Sequence, residues 1–176
     1  MNRSAVLIGL GIAVALQIAI IAGLVVNAAM PLWTGTEIRL KTTPVDPRSM
    51  FRGNYTRLNY EIGQLPDNAL EEYNYLRIGE RVYVSLRLTD SGIYSFLNAS
   101  LDKPSAGVFI RGRLLNSYSP YRVSYGINAF FTPKIKALKL EKDLAHGGVA
   151  VLMVMDSGRA ALNDVVANTP KTETKE

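Results

Sequence analysis

From Ala5 to Met30 the chain is apolar or glycine at every position except Gln17 and Asn27, and the stretch carries no charge. A bilayer core takes ~20 such residues as a helix, because in lipid each backbone N–H and C=O must be bonded within the segment. A soluble core helix would show a polar face, and none is present. The pattern therefore predicts one transmembrane helix over residues 5–30, after a short N-terminus (1–4). Trp33 follows at the depth where indole rings favour the interface. A cleaved signal peptide is the competing reading, with Asn2 and Arg3 as its basic end and Val26 and Ala28 as a small-residue cleavage site. Its apolar core would span only ~7–15 residues, so the longer run favours a retained anchor.

Beyond this helix the period changes to two. Pro31 to Gly35 reads as a short linker. In Thr36 to Lys41, Ile38 and Leu40 alternate with charged neighbours, which predicts a half-buried strand. Thr43 to Pro47 is a proline-broken loop. Arg57 to Ile62 alternates again, with Leu58, Tyr60 and Ile62 on one side. Pro66 to Asn74 suits a short helical turn. Val82, Val84, Leu86 and Leu88 form a further strand face, Asp90-Ser91-Gly92 a turn, and Ile93 to Leu97 the return strand. Val108 to Leu115 is a strand candidate interrupted at Gly112, and Arg122 to Phe131 one broken by Gly126. Pro133 to Leu144 is the one soluble helix candidate. Val149 to Met155 is fully apolar and predicts a central strand, turning at Asp156-Ser157-Gly158 into Arg159 to Val166. Residues 169–176 are polar and read as a disordered tail.

Short strands separated by turns predict a mainly β domain over residues 31–168, a β-rich α+β unit. Its form is a small antiparallel sheet or partly open barrel with a short helix. After the helix, ~140 residues remain, enough for one domain with its own core. The absence of Cys excludes disulfides, thiolate catalysis and Cys-ligated zinc. The net charge of +5 is scattered rather than clustered, which fits a solvated basic surface near anionic headgroups better than a nucleic-acid site.

Positive charge flanks the helix on both sides: Arg3 before it, and Arg39, Lys41 and Arg48 after it. A literal count would keep the domain inside. A short basic N-terminus ahead of a first hydrophobic segment acts as a signal anchor, however, and whole domains translocate despite their charge. The expected arrangement is a single-pass protein of a bacterial inner membrane with a periplasmic C-terminal domain.

Asp46 to Ile62 reads DPRSMFRGNYTRLNYEI. This resembles the membrane-anchored bacterial family named for the motif GDYxxLxY. Gly53, Tyr55, Leu58 and Tyr60 match it, and Asn54 stands where the motif has Asp. The likeness extends to Asp46-Pro47-Arg48, to Tyr125-Gly126-Ile127 with Phe131 and Pro133, and to Ser157-Gly158-Arg159-Ala160-Ala161. The resemblance implies a small anchored domain of uncharacterised function, associated with multi-span membrane proteins.

Gly53 and Asn54 both tolerate positive φ, so Arg52-Gly53-Asn54 reads as a tight turn feeding a strand. Asn keeps the turn-capping hydrogen bond but removes a charge, which argues against a general acid or metal ligand there. Tyr55, Tyr60, Tyr118, Tyr121, Tyr125, Phe130 and Phe131 pack as sheet core on one reading. On the other they line a groove beside Arg48, Arg52 and Arg122, since Tyr and Arg are enriched at binding hot spots. Arg48, Arg52, Tyr55, Tyr60 and Tyr125 are the candidate binding residues, and Gly53, Asn54, Leu58, Gly126 and Arg159 the candidate structural ones.

Ser49-Met50 beyond an anchor faintly resembles the Ser-Lys signal peptidases, but no Lys stands in an apolar strand to act as a neutral base. The lone His146 has no carboxylate or His at ligand spacing. Glu71 with Glu72, and Glu141 with Asp143, suit solvated surfaces. No metal, cofactor or catalytic group is expected. The expected function is an anchored accessory domain that binds a multi-span membrane protein or an envelope component. The alternatives are a small-ligand sensor and, remotely, a serine hydrolase using Ser49. Besides the bilayer, the helix could pack on a partner through Gly9, Gly11, Ala13 and Ala15.

Overall fold

A computed structural model describes residues 3–43, 55–131 and 147–167. Helix α1 (Arg3–Thr34) carries the apolar run. Within it, Leu7–Thr34 is long and apolar enough to cross a membrane, and none of that stretch's most apolar window is buried against the domain. The helix outlasts the expected linker. Pro31 sits inside its last turn, where the lost N–H matters less than it would mid-helix, and the Gly35 amide donates to the Pro31 carbonyl at 2.9 Å. Strand β1 (Thr36–Thr43) follows at once.

In β1 the residues Ile38, Leu40 and Thr42 point inward and Glu37, Arg39 and Lys41 outward, as the alternation requires. Two short strands follow, β2 (Tyr55–Arg57) and β3 (Asn59–Tyr60), then a 3-10 turn at Glu61–Gly63. The remaining strands are β4 (Arg81–Leu88), β5 (Tyr94–Ser100), β6 (Val108–Leu114), β7 (Val123–Ser124), β8 (Ala129–Phe131), β9 (Gly148–Val154) and β10 (Ala160–Ala167).

The main sheet runs β10-β9-β1-β5-β4-β6-β7, with β3 also pairing on β1. It is an open, strongly curled sheet, a half-barrel. It is mixed, because β1 and β5 are parallel; they meet through one residue pair, Leu40 with Tyr94. The other pairings are antiparallel. The curl carries β7 back to the segment after β3, where Gln64 bridges Arg122. The fully apolar run is central, as expected: β9 lies between β1 and β10.

The core fills the concave side. Ile38, Leu40, Leu70, Val82, Val84, Ile110, Leu114 and Leu152 are almost completely enclosed, and burying each contributes on the order of 1.5–3 kcal/mol. Among the described residues, Thr42 is the one buried polar or charged residue, and it is satisfied twice. Its Oγ1 donates to the Gly148 carbonyl and accepts from the Gly148 amide, both at 2.9 Å.

Three expected strands differ in detail. Arg57 to Ile62 is broken into β2, β3 and the 3-10 turn, although Leu58, Tyr60 and Ile62 still face inward. Arg122 to Phe131 is split at Gly126, whose φ of 74° is in the left-handed region that suits glycine. By contrast, β6 continues through Gly112, where the Val123 side chain packs against the bare backbone. Pro66 to Asn74, expected as a short helical turn, forms two successive turns, Ala69 N–H to the Pro66 carbonyl and Tyr73 N–H to the Leu70 carbonyl. The predicted helix at 133–144, His146, Ser49 and the tail at 169–176 lie outside the described residues.

Candidate functional site

The motif region forms one side of a long antiparallel ribbon whose other side is residues 121–131. Tyr55, Thr56 and Arg57 pair with Phe131, Phe130 and Ala129. The Leu58 amide then donates to the Asn128 carbonyl at 2.8 Å, and the Asn128 side chain returns a bond to the Leu58 carbonyl at 3.4 Å. Further along, the Leu65 amide donates to the Tyr121 carbonyl at 2.8 Å.

Where the backbones kink apart, two tyrosines replace the ladder. The Tyr60 hydroxyl donates to the Ile127 carbonyl at 2.7 Å, and the Tyr125 hydroxyl donates to the Ile62 carbonyl at 2.6 Å. Each ring crosses to the opposite strand, so the two bonds form a reciprocal latch. Both side chains are buried, and burial pushes both phenols well above the usual tyrosine value.

A groove of about 780 Å³ opens beside this ribbon. It lies where the sheet is held by the single β1–β5 pair. Its walls include Lys41 and Thr43 from β1, Asn59 and Glu61 next to the latch, Arg87 and Tyr94 to Phe96 from the β4–β5 hairpin, and Arg122 beside β7. Lys41 and Glu61 pair across one wall at 3.7 Å, with both side chains mostly exposed, so this pair contributes little stability. Arg87 Nε approaches Ser95 Oγ at 3.4 Å. At one end the Ser119 hydroxyl donates to the Asp67 carboxylate, tying two turns together.

Among the described residues, no group of three or more His, Asp or Glu is placed to hold a metal ion. The groove can instead make charge-assisted hydrogen bonds of both signs and stack on aromatic faces.

The candidate residues divide. Tyr60 and Tyr125 are buried, and their hydroxyls are bonded to carbonyls across the ribbon. Tyr60 reaches the groove only as part of its lining. Leu58 is a core residue, and Tyr121 is also buried. Tyr118 is exposed. Arg122 does line the groove, as grouped from sequence. Tyr55 is placed by its backbone in β2, while Arg48, Arg52, Gly53 and Asn54 lie outside the described residues. The chain that carries them leaves β1 at Thr43, on the groove wall. Lys41, Arg87 and Tyr94 were not singled out from sequence, because the groove depends on where strands distant in the chain meet.

A family model described as GDYXXLXY protein matches residues 17–165. The chain belongs to the GDYXXLXY protein family. No curated protein and no solved structure matches it. In this GDYXXLXY protein, the described parts of two of the three stretches that carried the resemblance, residues 55–62 and 125–131, are the two sides of the latched ribbon. The third, Ser157 to Ala161, contains Arg159. Its guanidinium donates through Nη1 to Asn27 Oδ1 and through Nη2 to the Asn27 carbonyl, both at 2.7 Å.

Proposed function

We propose that this GDYXXLXY protein is a membrane-anchored accessory domain. Helix α1 holds it in a bacterial inner membrane with the domain on the periplasmic side, and the 780 Å³ groove takes a segment of a multi-span membrane-protein partner. The observation that carries this reading is the composition of the groove walls. Lys41, Arg87 and Arg122 stand with Glu61, Asp67, Tyr94 and Phe96 around one opening, which matches the aromatic and Arg-rich character of binding hot spots. The all-round apolar helix supports the anchor.

The test is purification of the full-length protein from membranes in mild detergent, with mass spectrometry of what co-elutes. Arg87→Glu with Arg122→Glu changes two exposed residues and leaves the core intact. A stoichiometric multi-span protein that co-elutes with wild type and is lost with this pair supports the reading. Arg52→Glu with Tyr55→Ala extends the test to the motif. A wild-type protein that elutes alone counts against it.

One observation favours a second reading, a small-ligand sensor: the groove volume falls within the ~300–1,000 Å³ typical of ligand sites. That reading requires an envelope metabolite to raise the unfolding temperature. A screen with no response would remove it.

A further inference from the structure

A second groove, of about 510 Å³, is lined by residues of β4, β6, the segment 124–126 and the start of β10, where Arg159 bonds to Asn27 of the helix. Four arginines line it, Arg81, Arg111, Arg113 and Arg159, and its lining contains no acidic residue. Arg81 stands directly opposite Arg113 across β4 and β6. Arg111 is two residues along the same strand, hence on the same face. Like charges placed directly opposite in a sheet are destabilising. Among the described residues the ion pairs are Arg39–Glu37 and Lys41–Glu61, and none involves these four arginines. Of the nearby carboxylates, Glu80 accepts from the Arg77 amide, and Asp156 is exposed in the β9–β10 turn.

Arg159 fixes where this face lies relative to the helix. Its partner Asn27 precedes Thr34 by roughly two turns, about 10 Å back along the axis at ~1.5 Å per residue. The β9–β10 turn therefore reaches back along α1, toward the apolar stretch. On the anchor reading, ~20 residues from Leu7 span the hydrocarbon, which puts Asn27 and Arg159 at headgroup level. Strand β6 is docked on the same turn, because the Arg111 amide donates to the Gly158 carbonyl at 2.8 Å. Two apolar side chains of the groove, Ile78 and Leu115, are 72% and 50% exposed.

We propose that Arg81, Arg111 and Arg113 on this face, positioned by the Arg159–Asn27 junction, bind the phosphates of anionic lipid headgroups in the leaflet from which the helix emerges. Arg presents a planar fork matched to phosphate oxygens, and Ile78 and Leu115 enter the boundary between headgroups and acyl chains. The inference rests on the anchor reading and adds to it a docked orientation of the domain.

The test uses the full-length chain, which has no Cys. Ser117→Cys, two residues beyond Leu115, carries an environment-sensitive fluorophore, and the chain is reconstituted into vesicles containing headgroup-quencher lipids. Quenching is expected to be stronger in phosphatidylcholine mixed with phosphatidylglycerol than in phosphatidylcholine alone, and to fall with salt. Arg81→Gln with Arg113→Gln should weaken the docked state roughly tenfold or more, and Lys at both positions, which keeps the charge without the planar fork, should retain part of it. Equal quenching in the two lipid compositions, or no effect of the Gln pair, overturns the proposal. So does inorganic phosphate that shifts the label's emission in detergent as anionic vesicles do, since the site would then take free phosphate. Alkaline carbonate extraction of the same vesicles reports the anchor separately. A chain that washes out defeats the anchor reading; a retained chain without a lipid-dependent difference defeats only the arginine face.

Discussion

Arg159 and Asn27 are 132 residues apart and are joined by two hydrogen bonds of 2.7 Å. Pro31 explains why one acceptor is free. In an α-helix the Asn27 carbonyl would accept from the amide of residue 31, and proline has none. Arg159 supplies the missing donor from the sheet. The freed carbonyl thus becomes the attachment point between helix and domain, and Gly35 completes the junction. A Cβ at Gly35 would stand 2.9 Å from the Met153 carbonyl carbon, closer than packing allows.

Arg159→Ala is expected to loosen the junction by about 1.5–3 kcal/mol, the usual range for hydrogen bonds to a charged group. In Pro31→Ala the helix supplies its own donor to Asn27, so Arg159→Ala should cost less in that background. A double-mutant cycle read by amide exchange over residues 27–35 checks this. Equal costs in the two backgrounds would show that the proline and the arginine are not coupled.

Tyr60→Phe and Tyr125→Phe each remove one hydroxyl of the latch and leave a buried carbonyl without its donor. Each should destabilise the domain by about 1–3 kcal/mol, read as a lower midpoint in chemical denaturation. The two bonds tie the same pair of segments, so the double variant should depart from additivity.

The same phenols set an alkaline limit. Their folded-state pKa values lie above the unfolded value near 10. The folded state therefore holds its protons where the unfolded state begins to lose them. This contribution is fully present below pH ~10 and is lost as pH rises from there toward the folded values. Phenolate absorbance, compared between wild type and the two Phe variants, should show Tyr60 and Tyr125 titrating only as the protein unfolds. Ordinary titration of either phenol in the folded protein would refute burial of the latch.

Thr42→Val keeps the shape of the buried side chain but removes both bonds to Gly148. The expected loss is about 1–3 kcal/mol, measured by thermal or denaturant unfolding. Thr42→Ser keeps the hydroxyl and should cost less.

The half-barrel was readable where one face of a strand is buried, as in Ile38 and Leu40 or in the apolar run of β9. The breaks in the two ribbon segments were marked only partly, by Gly126; the 3-10 turn at Glu61 follows an unbroken alternation and depends on the cross-chain latch. Pro31 read as a helix stop, because its compensation comes from Arg159 far along the chain. The parallel β1–β5 contact left no local pattern, and the groove at that contact was equally invisible. Of the aromatic and arginine residues grouped from sequence, Arg122 and Tyr60 both line the groove, whereas the hydroxyl bonds of Tyr60 and Tyr125 across the ribbon left no local pattern.

The groove beside the ribbon is the proposed meeting point with a membrane-protein partner. The most direct measurement is site-directed crosslinking in intact membranes, using single cysteines in a chain that has none of its own. Asn59 lines the groove, and Asn163 is exposed on β10 away from it. A photo-crosslinker at Asn59→Cys should give one adduct with a multi-span protein, and the same reagent at Asn163→Cys should not. No adduct at either position, or equal adducts at both, would contradict the account.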